Sequence, residues 1–204
     1  ASKKISVNLG FFYALILCFF ALLVLLNFNF LTIVLALGSM PLAFTYPLMK
    51  RFTYWPQLFL GITFNYGLIL GWTSVNAEIN ITAIIFYIGA IFWTLGYDTV
   101  YGYQDIKDDE IIGLKSTSIK FKGSAKKFLI TCYAFLIIFF LIGGYYMKFN
   151  YVYYFLMLIP FFHLFIYQIK NFKSQDPSRC LDIFKSNNIF GLILFLNILI
   201  TKNL

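Results

Sequence analysis

Residues 79–110 read INITAIIFYIGAIFWTLGYDTVYGYQDIKDDE, an apolar segment followed directly by an acidic one. Residues 79–97 carry no charged side chain, whereas five carboxylates occur in the thirteen positions from Asp98 to Glu110. A helix of roughly 20 apolar residues crosses the hydrocarbon core of a bilayer, which is about 30 Å thick. The stretch therefore predicts a membrane-spanning helix that ends in a cluster of acidic residues.

Similar charge-free runs occur along the whole chain. They cover residues 5–49, 52–77, 79–97, 128–147, 149–169 and 186–201. The first run is too long for one crossing and divides at Asn27-Phe28-Asn29, so seven membrane-spanning helices are predicted. The chain is 61% hydrophobic and 12% charged, whereas soluble domains average about 25% charged residues, so a water-soluble or disordered chain is excluded. We expect an all-α membrane protein, a bundle of seven helices in a single domain over residues 1–204.

The basic residues predict how these helices are oriented. If seven helices alternate across the membrane, 14 of the 16 basic residues, including Lys3 and Lys4, fall on one side, and only Lys148 and Lys202 fall on the other. Because basic residues accumulate in cytoplasmic loops, the acidic cluster is predicted to lie on the cytoplasmic side. The basic residues behind the net charge of +8 are spread between apolar segments. This distribution is typical of the loops of a membrane protein and not of a nucleic-acid-binding surface, so no nucleic-acid partner is expected.

The spacing of the acidic cluster predicts a metal site. On a helix that continues past Tyr101, Asp105 and Asp109 lie within about 20° of Asp98. Three carboxylates on one face repel one another unless a divalent cation or lysines neutralise them. Mg²⁺ commonly binds one or two carboxylates together with substrate phosphates. Asp98, Asp105 and Asp109 are therefore candidate magnesium ligands in a site for a diphosphate, and Lys115 is one of the nearby cations. A solvated loop of mixed charge is the alternative.

Motifs in four places resemble those of a known family. Asp98, Tyr101, Asp105 and Asp109 match D-x-x-Y-x-x-x-D-x-x-x-D, which is similar to the second aspartate-rich motif of the UbiA superfamily of intramembrane prenyltransferases. Three further stretches resemble the 4-hydroxybenzoate polyprenyltransferase branch of that superfamily. They are YPLMKRFT at 46–53, IGLKST at 112–117 and FKSNNIFG at 184–191.

The resemblance implies an enzyme that transfers a polyprenyl chain from polyprenyl diphosphate to the ring of 4-hydroxybenzoate, a step of ubiquinone biosynthesis. It implies a multi-pass protein of the bacterial or mitochondrial inner membrane. The resemblance also assigns the catalytic role to Asp98, Asp105 and Asp109, which would hold Mg²⁺ together with the diphosphate. The residues that it implies for substrate binding are Lys50, Arg51, Tyr101, Lys115 and Asn187.

Individual roles follow for the basic residues of this set. Lys115 would pair with phosphate oxygens. Lys50 or Arg51 would hold phosphate or the benzoate carboxylate, since a forked guanidinium suits a carboxylate.

Two features of the family do not occur in this sequence. Family members have nine transmembrane helices and a first motif, N-D-x-x-D-x-x-x-D, between the second and the third. We therefore expect a carboxy-terminal fragment of a nine-helix fold, which would need the missing amino-terminal helices as a partner and would have little or no transferase activity alone. Alternatives are another acceptor, such as a naphthoate or a porphyrin, an inactive gene remnant, or a cation-coupled membrane transporter with an ion site at Asp98.

Overall fold

The computed structural model describes residues 5–203, and these residues form seven helices that are long and apolar enough to cross a membrane. The prediction of an all-α bundle of seven helices is confirmed. Lys3 and Lys4, which contribute to the predicted orientation, lie outside the described residues. The helices are α1 (Val7–Leu25), α2 (Phe30–Phe52), α3 (Pro56–Asn76), α4 (Ile81–Tyr101), α5 (Ala125–Tyr146), α6 (Tyr151–Asn171) and α7 (Pro177–Lys202).

The start of α7 differs most from its charge-free run. The helix begins at Pro177, well before the run that opens at residue 186. The Asp176 side chain caps it by accepting a hydrogen bond from the Arg179 N–H at 3.0 Å, and proline suits a first helical position. The first turns of α7 therefore contain charged residues, which can reach water there. For this reason the charge-free run is shorter than the helix.

Three of the helices are interrupted. A 3-10 turn at Tyr46–Leu48 interrupts α2, and a π-type turn at His163–Gln168 lies within α6. α3 breaks at Asn65, whose Nδ2 donates to the Gly61 carbonyl at 2.8 Å and to Thr94 Oγ1 on α4 at 2.7 Å. Backbone groups freed at such breaks must find partners inside the protein, because lipid offers none. The interruptions at Asn65 and at Gln168 therefore coincide with polar contacts between helices.

The core lies among α3 to α7, and the contact of α4 with α5 is its centre. Glycines allow these two helices to approach closely, because a Cβ at Gly96 would lie 2.5 Å from the Tyr133 ring and one at Gly143 would lie 2.6 Å from the Phe86 ring. Close approach at small residues supplies the van der Waals contact that holds helices together in lipid. By contrast, α1 buries no residue over Val7–Leu25, and α2 buries only Thr32.

Candidate functional site

The acidic cluster is divided between two elements. α4 ends at Tyr101, and a second, short helix occupies Ile106–Ile111. The expectation of one continuous helical face from Asp98 to Asp109 is therefore wrong. Tyr103, in the turn between the two helices, is only 2% exposed and packs against the Phe172 ring. Burial of this aromatic side chain stabilises the turn, and a straight extension of α4 into water would lose that burial.

Asp98 lies in the last turn of α4, on the wall of a cleft of about 240 Å³. We call this cavity the polar cleft; it is lined by Tyr46, Pro47, Lys50, Pro56, Gln57, Leu60 and Asp98. Among residues 5–203, no side chain or backbone N–H donates a hydrogen bond to the half-buried Asp98 carboxylate. This carboxylate is therefore available to a ligand that enters the polar cleft.

Lys50 connects the two parts of the acidic cluster. Its Nζ lies 3.1 Å from Asp109 Oδ2, and the Asp109 side chain is only 9% exposed. Backbone hydrogen bonds hold both residues, since the Lys115 N–H donates to the Lys50 carbonyl and the Leu114 N–H to the Asp109 carbonyl, each at 2.8 Å. The fold therefore fixes an ammonium group in the polar cleft beside Asp98, and Asp109 balances part of its charge.

A buried hydrogen-bond network attaches the loop after α4 to the helices around the polar cleft. The Thr117 N–H donates to Gln57 Oε1 at 3.0 Å, and Ser118 Oγ donates to the Thr99 carbonyl at 2.8 Å. The hydroxyls of Thr99 and Thr117 lie 2.6 Å apart. All four residues are buried, and a fully satisfied buried network gives the chain one defined conformation. The network fixes the backbone next to Asp98.

Gln57 is a site residue that the sequence analysis missed. Its side chain is 2% exposed, accepts the Thr117 bond and lines the polar cleft. A detectable signal was present, because Gln57 is an amide within the charge-free run 52–77, shortly after the YPLMKRFT stretch. A polar side chain in a membrane helix usually faces the interior of the bundle.

The other predicted site residues lie at different distances from the polar cleft. Lys115 lies beside it, with its Nζ 3.4 Å from the Phe52 carbonyl. Tyr101 is 40% exposed, and its ring centroid lies 4.6 Å from that of Phe184. Asp105 and Arg51 are exposed. The structure therefore brings Asp98, Lys50 and Asp109 together and leaves Asp105 and Arg51 at the surface.

A second cavity, of about 420 Å³, lies between α3, α4 and α7. We call it the aromatic pocket; it is lined by Phe64, Asn65, Trp93, Thr94, Tyr97, Phe184, Lys185, Asn187, Asn188 and Gly191. Trp93 and Thr94 precede Asp98 by about one turn of α4, so these two lining residues lie roughly 6–8 Å deeper along the helix axis. Tyr97, which directly precedes Asp98, also lines the aromatic pocket, so this pocket extends from the level of Asp98 to about one helical turn deeper.

Asn187 belongs to a hydrogen-bond network in the wall of the aromatic pocket. Its Oδ1 accepts from Trp93 Nε1 at 2.8 Å and from Gln168 Nε2 at 3.1 Å. Gln168 Oε1 in turn accepts from the Tyr133 hydroxyl at 2.6 Å. Four helices thus fix the Trp93 ring against the pocket. Trp93 was missed by the sequence analysis, because aromatic residues are too frequent in this chain to mark a site. Gln168 was missed although, like Gln57, it is an amide within a charge-free run, here residues 149–169.

The carboxylates fit a metal that is bound jointly with a substrate. Within residues 5–203, no group of three or more acidic, histidine or cysteine side chains is placed to hold a metal ion. Asp109 is already paired with Lys50, whereas Asp98 accepts no hydrogen bond from the described residues. Mg²⁺ prefers oxygen ligands and often takes only one or two carboxylates, with phosphate oxygens and water completing its shell. Asp98 is suited to serve as one of these carboxylate ligands.

Several known proteins are similar to this chain in sequence or in fold. Residues 1–199 match the UbiA prenyltransferase family. The chain is 39% identical over 205 residues to 4-hydroxybenzoate geranyltransferase 2 of Lithospermum erythrorhizon, an alignment that covers 99% of the chain and 66% of that protein. It is 41% identical over 181 residues to the mitochondrial 4-hydroxybenzoate polyprenyltransferase of Bos taurus, with 88% of the chain and 48% of that protein covered. The chain thus spans just under two thirds and about half of these relatives.

A solved structure supports the fold independently. The apo structure of a UbiA homolog from Aeropyrum pernix K1 superposes with a TM-score of 0.70 at 19% identity. The superposition covers 86% of this chain and 66% of that chain. At this identity the likeness shows a shared fold alone.

Proposed function

This chain belongs to the UbiA prenyltransferase family, and we propose that it takes part in the transfer of a polyprenyl chain from polyprenyl diphosphate to the ring of 4-hydroxybenzoate. The observation that carries the proposal is that Asp98 and Lys50 line the polar cleft, while the aromatic pocket extends from the level of Asp98 to about one helical turn deeper. A polyprenyl diphosphate has the same division into a charged head and an apolar chain. The names of relatives that are about 40% identical support 4-hydroxybenzoate as the acceptor.

In this proposal the diphosphate head occupies the polar cleft. Negative charge grows on the leaving oxygen as the allylic C–O bond breaks, and the ammonium groups of Lys50 and Lys115 stabilise that charge. Asp109 acts as a positioning residue, because it holds the Lys50 ammonium at 3.1 Å. Asp98 would hold Mg²⁺, which when bound would neutralise part of the charge on the leaving group.

The aromatic pocket suits the carbon chemistry of the same reaction. Breaking the allylic bond leaves positive charge on the prenyl carbon, and the faces of Trp93, Tyr97 and Phe184 attract a cation. The surrounding helices limit the access of water, which would otherwise capture that carbon. The acceptor ring then attacks through the carbon next to its phenol oxygen and loses a proton from that carbon.

We also propose roles for the predicted residues outside the cavities. Arg51, exposed at the end of α2, would hold the carboxylate of 4-hydroxybenzoate, since its guanidinium can bind a carboxylate through two parallel hydrogen bonds. Asp105 and Tyr101 would face the incoming diphosphate from the loop and the end of α4. The protein would lie in a bacterial or mitochondrial inner membrane, and the mitochondrial relatives support the second of these. The distribution of basic residues favours the cytoplasmic side for the acidic cluster.

Binding of geranyl diphosphate to the full chain tests this proposal. Trp93 lines the aromatic pocket, so in detergent micelles with Mg²⁺ we expect a saturable change in tryptophan fluorescence that is lost in Trp93→Phe. Asp98→Asn and Lys50→Gln should each raise the Kd at least about tenfold, because each removes a charged contact to the diphosphate. Product formation is not the readout, because the chain alone is expected to have little or no transferase activity.

The matched control is Glu110→Gln. Glu110 pairs with Lys122 at 2.8 Å and does not line the polar cleft, so this variant should bind geranyl diphosphate as tightly as the parent chain. The proposal is wrong if the parent chain shows no saturable binding, or if Asp98→Asn binds as the control does while keeping its thermal stability.

A further inference from the structure

A cavity of about 630 Å³ lies apart from both proposed substrate cavities, between the start of α5 and the loop that joins α6 to α7. We call it the basic cleft. The charged residues in its lining are Lys122, Lys126, Lys127, Lys173 and Asp176. The α4 end that carries Asp98 and this cleft lie on the same side of the membrane, because α5 follows α4 and crosses back. The reaction proposed above makes no use of the basic cleft.

Three of these lysines have no counter-charge within the described part of the chain. The ammonium groups of Lys126, Lys127 and Lys173 form no ion pair or hydrogen bond with any residue in the range 5–203. Lys122 differs, since it pairs with Glu110 at 2.8 Å. The Asp176 carboxylate, the one acidic group in the lining, accepts the Arg179 N–H. The cleft therefore gathers positive charge that an anion from outside the chain can balance.

The depth of the cleft matches the surface of the bilayer. The span of α5 begins at Ala125 and that of α6 ends at Asn171, so the cleft lies where hydrocarbon gives way to water. About one turn deeper, Ile130 on α5 is 41% exposed and Ile166 on α6 is 53% exposed. Apolar surface thus continues from the cleft toward the membrane interior, where acyl chains are available to cover it.

We propose that the basic cleft binds the phosphate-bearing head of an anionic phospholipid from the surrounding membrane. Basic pockets between helices at a membrane surface are suited to such head groups. A soluble anion such as inorganic diphosphate offers the same charge but no acyl chain for the adjoining apolar surface. The lipid is also concentrated at the depth of the cleft, which favours it as the occupant.

Native mass spectrometry of the full chain in neutral detergent tests this proposal. The chain is titrated with phosphatidylglycerol or phosphatidylcholine of identical acyl chains, and the first bound phosphatidylglycerol should bind at least about tenfold more tightly. Each lysine near an anionic head group contributes roughly fivefold to binding. A triple variant, Lys126→Gln with Lys127→Gln and Lys173→Gln, should therefore lose the preference for phosphatidylglycerol.

A matched variant removes the same charge elsewhere. Lys107→Gln, Lys148→Gln and Lys202→Gln together alter three lysines that do not line the cleft, so the preference should persist. The proposal fails if both lipids bind equally, if the cleft variant keeps the preference, or if inorganic diphosphate binds the cleft without any preference between the lipids. Should the triple variant fold poorly, the single variants are read instead, each with an expected loss of roughly fivefold.

Discussion

The Lys50–Asp109 ion pair allows a quantitative prediction. Lys50 Nζ and Asp109 Oδ2 lie 3.1 Å apart, and the two side chains are 42% and 9% exposed. Two unit charges about 4 Å apart interact by about 4 kcal/mol at an effective dielectric constant of about 20. Solvent around the half-exposed Lys50 and the cost of desolvating Asp109 reduce this value. We therefore predict a coupling energy of about 1–2 kcal/mol between the two side chains.

A double-mutant cycle measures that coupling. Lys50→Gln, Asp109→Asn and the double variant are unfolded in mixed micelles of increasing SDS content, and tryptophan fluorescence gives the free energy of unfolding. Lys50→Gln should lose more stability than Asp109→Asn. Removing Lys50 leaves a buried carboxylate without its partner, whereas removing Asp109 leaves an ammonium group that water can reach.

A second ion pair, Lys122–Glu110 in the segment between α4 and α5, serves as the control. Lys122 and Glu110 approach to 2.8 Å, but their side chains are 57% and 36% exposed, so their coupling should stay below about 0.5 kcal/mol. If the Lys50–Asp109 coupling is no larger than that of this exposed pair, burial does not strengthen the interaction, and the argument that Asp109 positions Lys50 is refuted.

Three further predictions concern the supporting structure. Gly102→Ala should destabilise the chain by about 1–3 kcal/mol, because the added Cβ would collide with Ser118 Oγ; the melting temperature should recover in part when Ser118→Ala is added, and no recovery would contradict the clash. Burial raises the pKa of Tyr103 to about 12, and its hydroxyl has no hydrogen-bond partner among residues 5–203. Tyr103→Phe should therefore leave stability unchanged or raise it by up to about 1 kcal/mol, and a measured loss above 1 kcal/mol would reveal an unseen partner. Trp93→Phe should lower the free energy of unfolding by about 0.5–1.5 kcal/mol through the lost bond to Asn187, whereas an Asn187→Leu background should abolish most of that difference.

The helices could be predicted from the sequence because a bilayer imposes one simple rule on each segment. A charge-free run of the right length must form all its backbone hydrogen bonds within itself. That rule identified all seven helices and the division of the first run near Asn29, where α2 is capped by the Asn29 side chain. It failed at the start of α7, because charged residues at a membrane surface are compatible with either a helix or a loop.

The candidate site could be predicted only in part. Asp98, Lys50 and Asp109 were predicted as site residues from motifs, and the structure brings them together around the polar cleft. Their spacing alone predicted the wrong geometry, since Asp109 reaches Lys50 by a turn in the chain and not by an extension of α4. Helical periodicity cannot foresee that turn, which depends on burying Tyr103 against Phe172, just after the end of α6.

The sequence by itself therefore determined the membrane environment, the number of helices and the residue types at one membrane surface, because each depends on short segments and on the cost of placing charge in hydrocarbon. Only the tertiary structure decided which of these residues work together. Lys50 and Asp109 are far apart in the chain, as are Trp93 and Asn187, and they meet only because helices from distant segments pack side by side. Such contacts depend on how several helices fit together at once, and no single segment of the sequence encodes that fit.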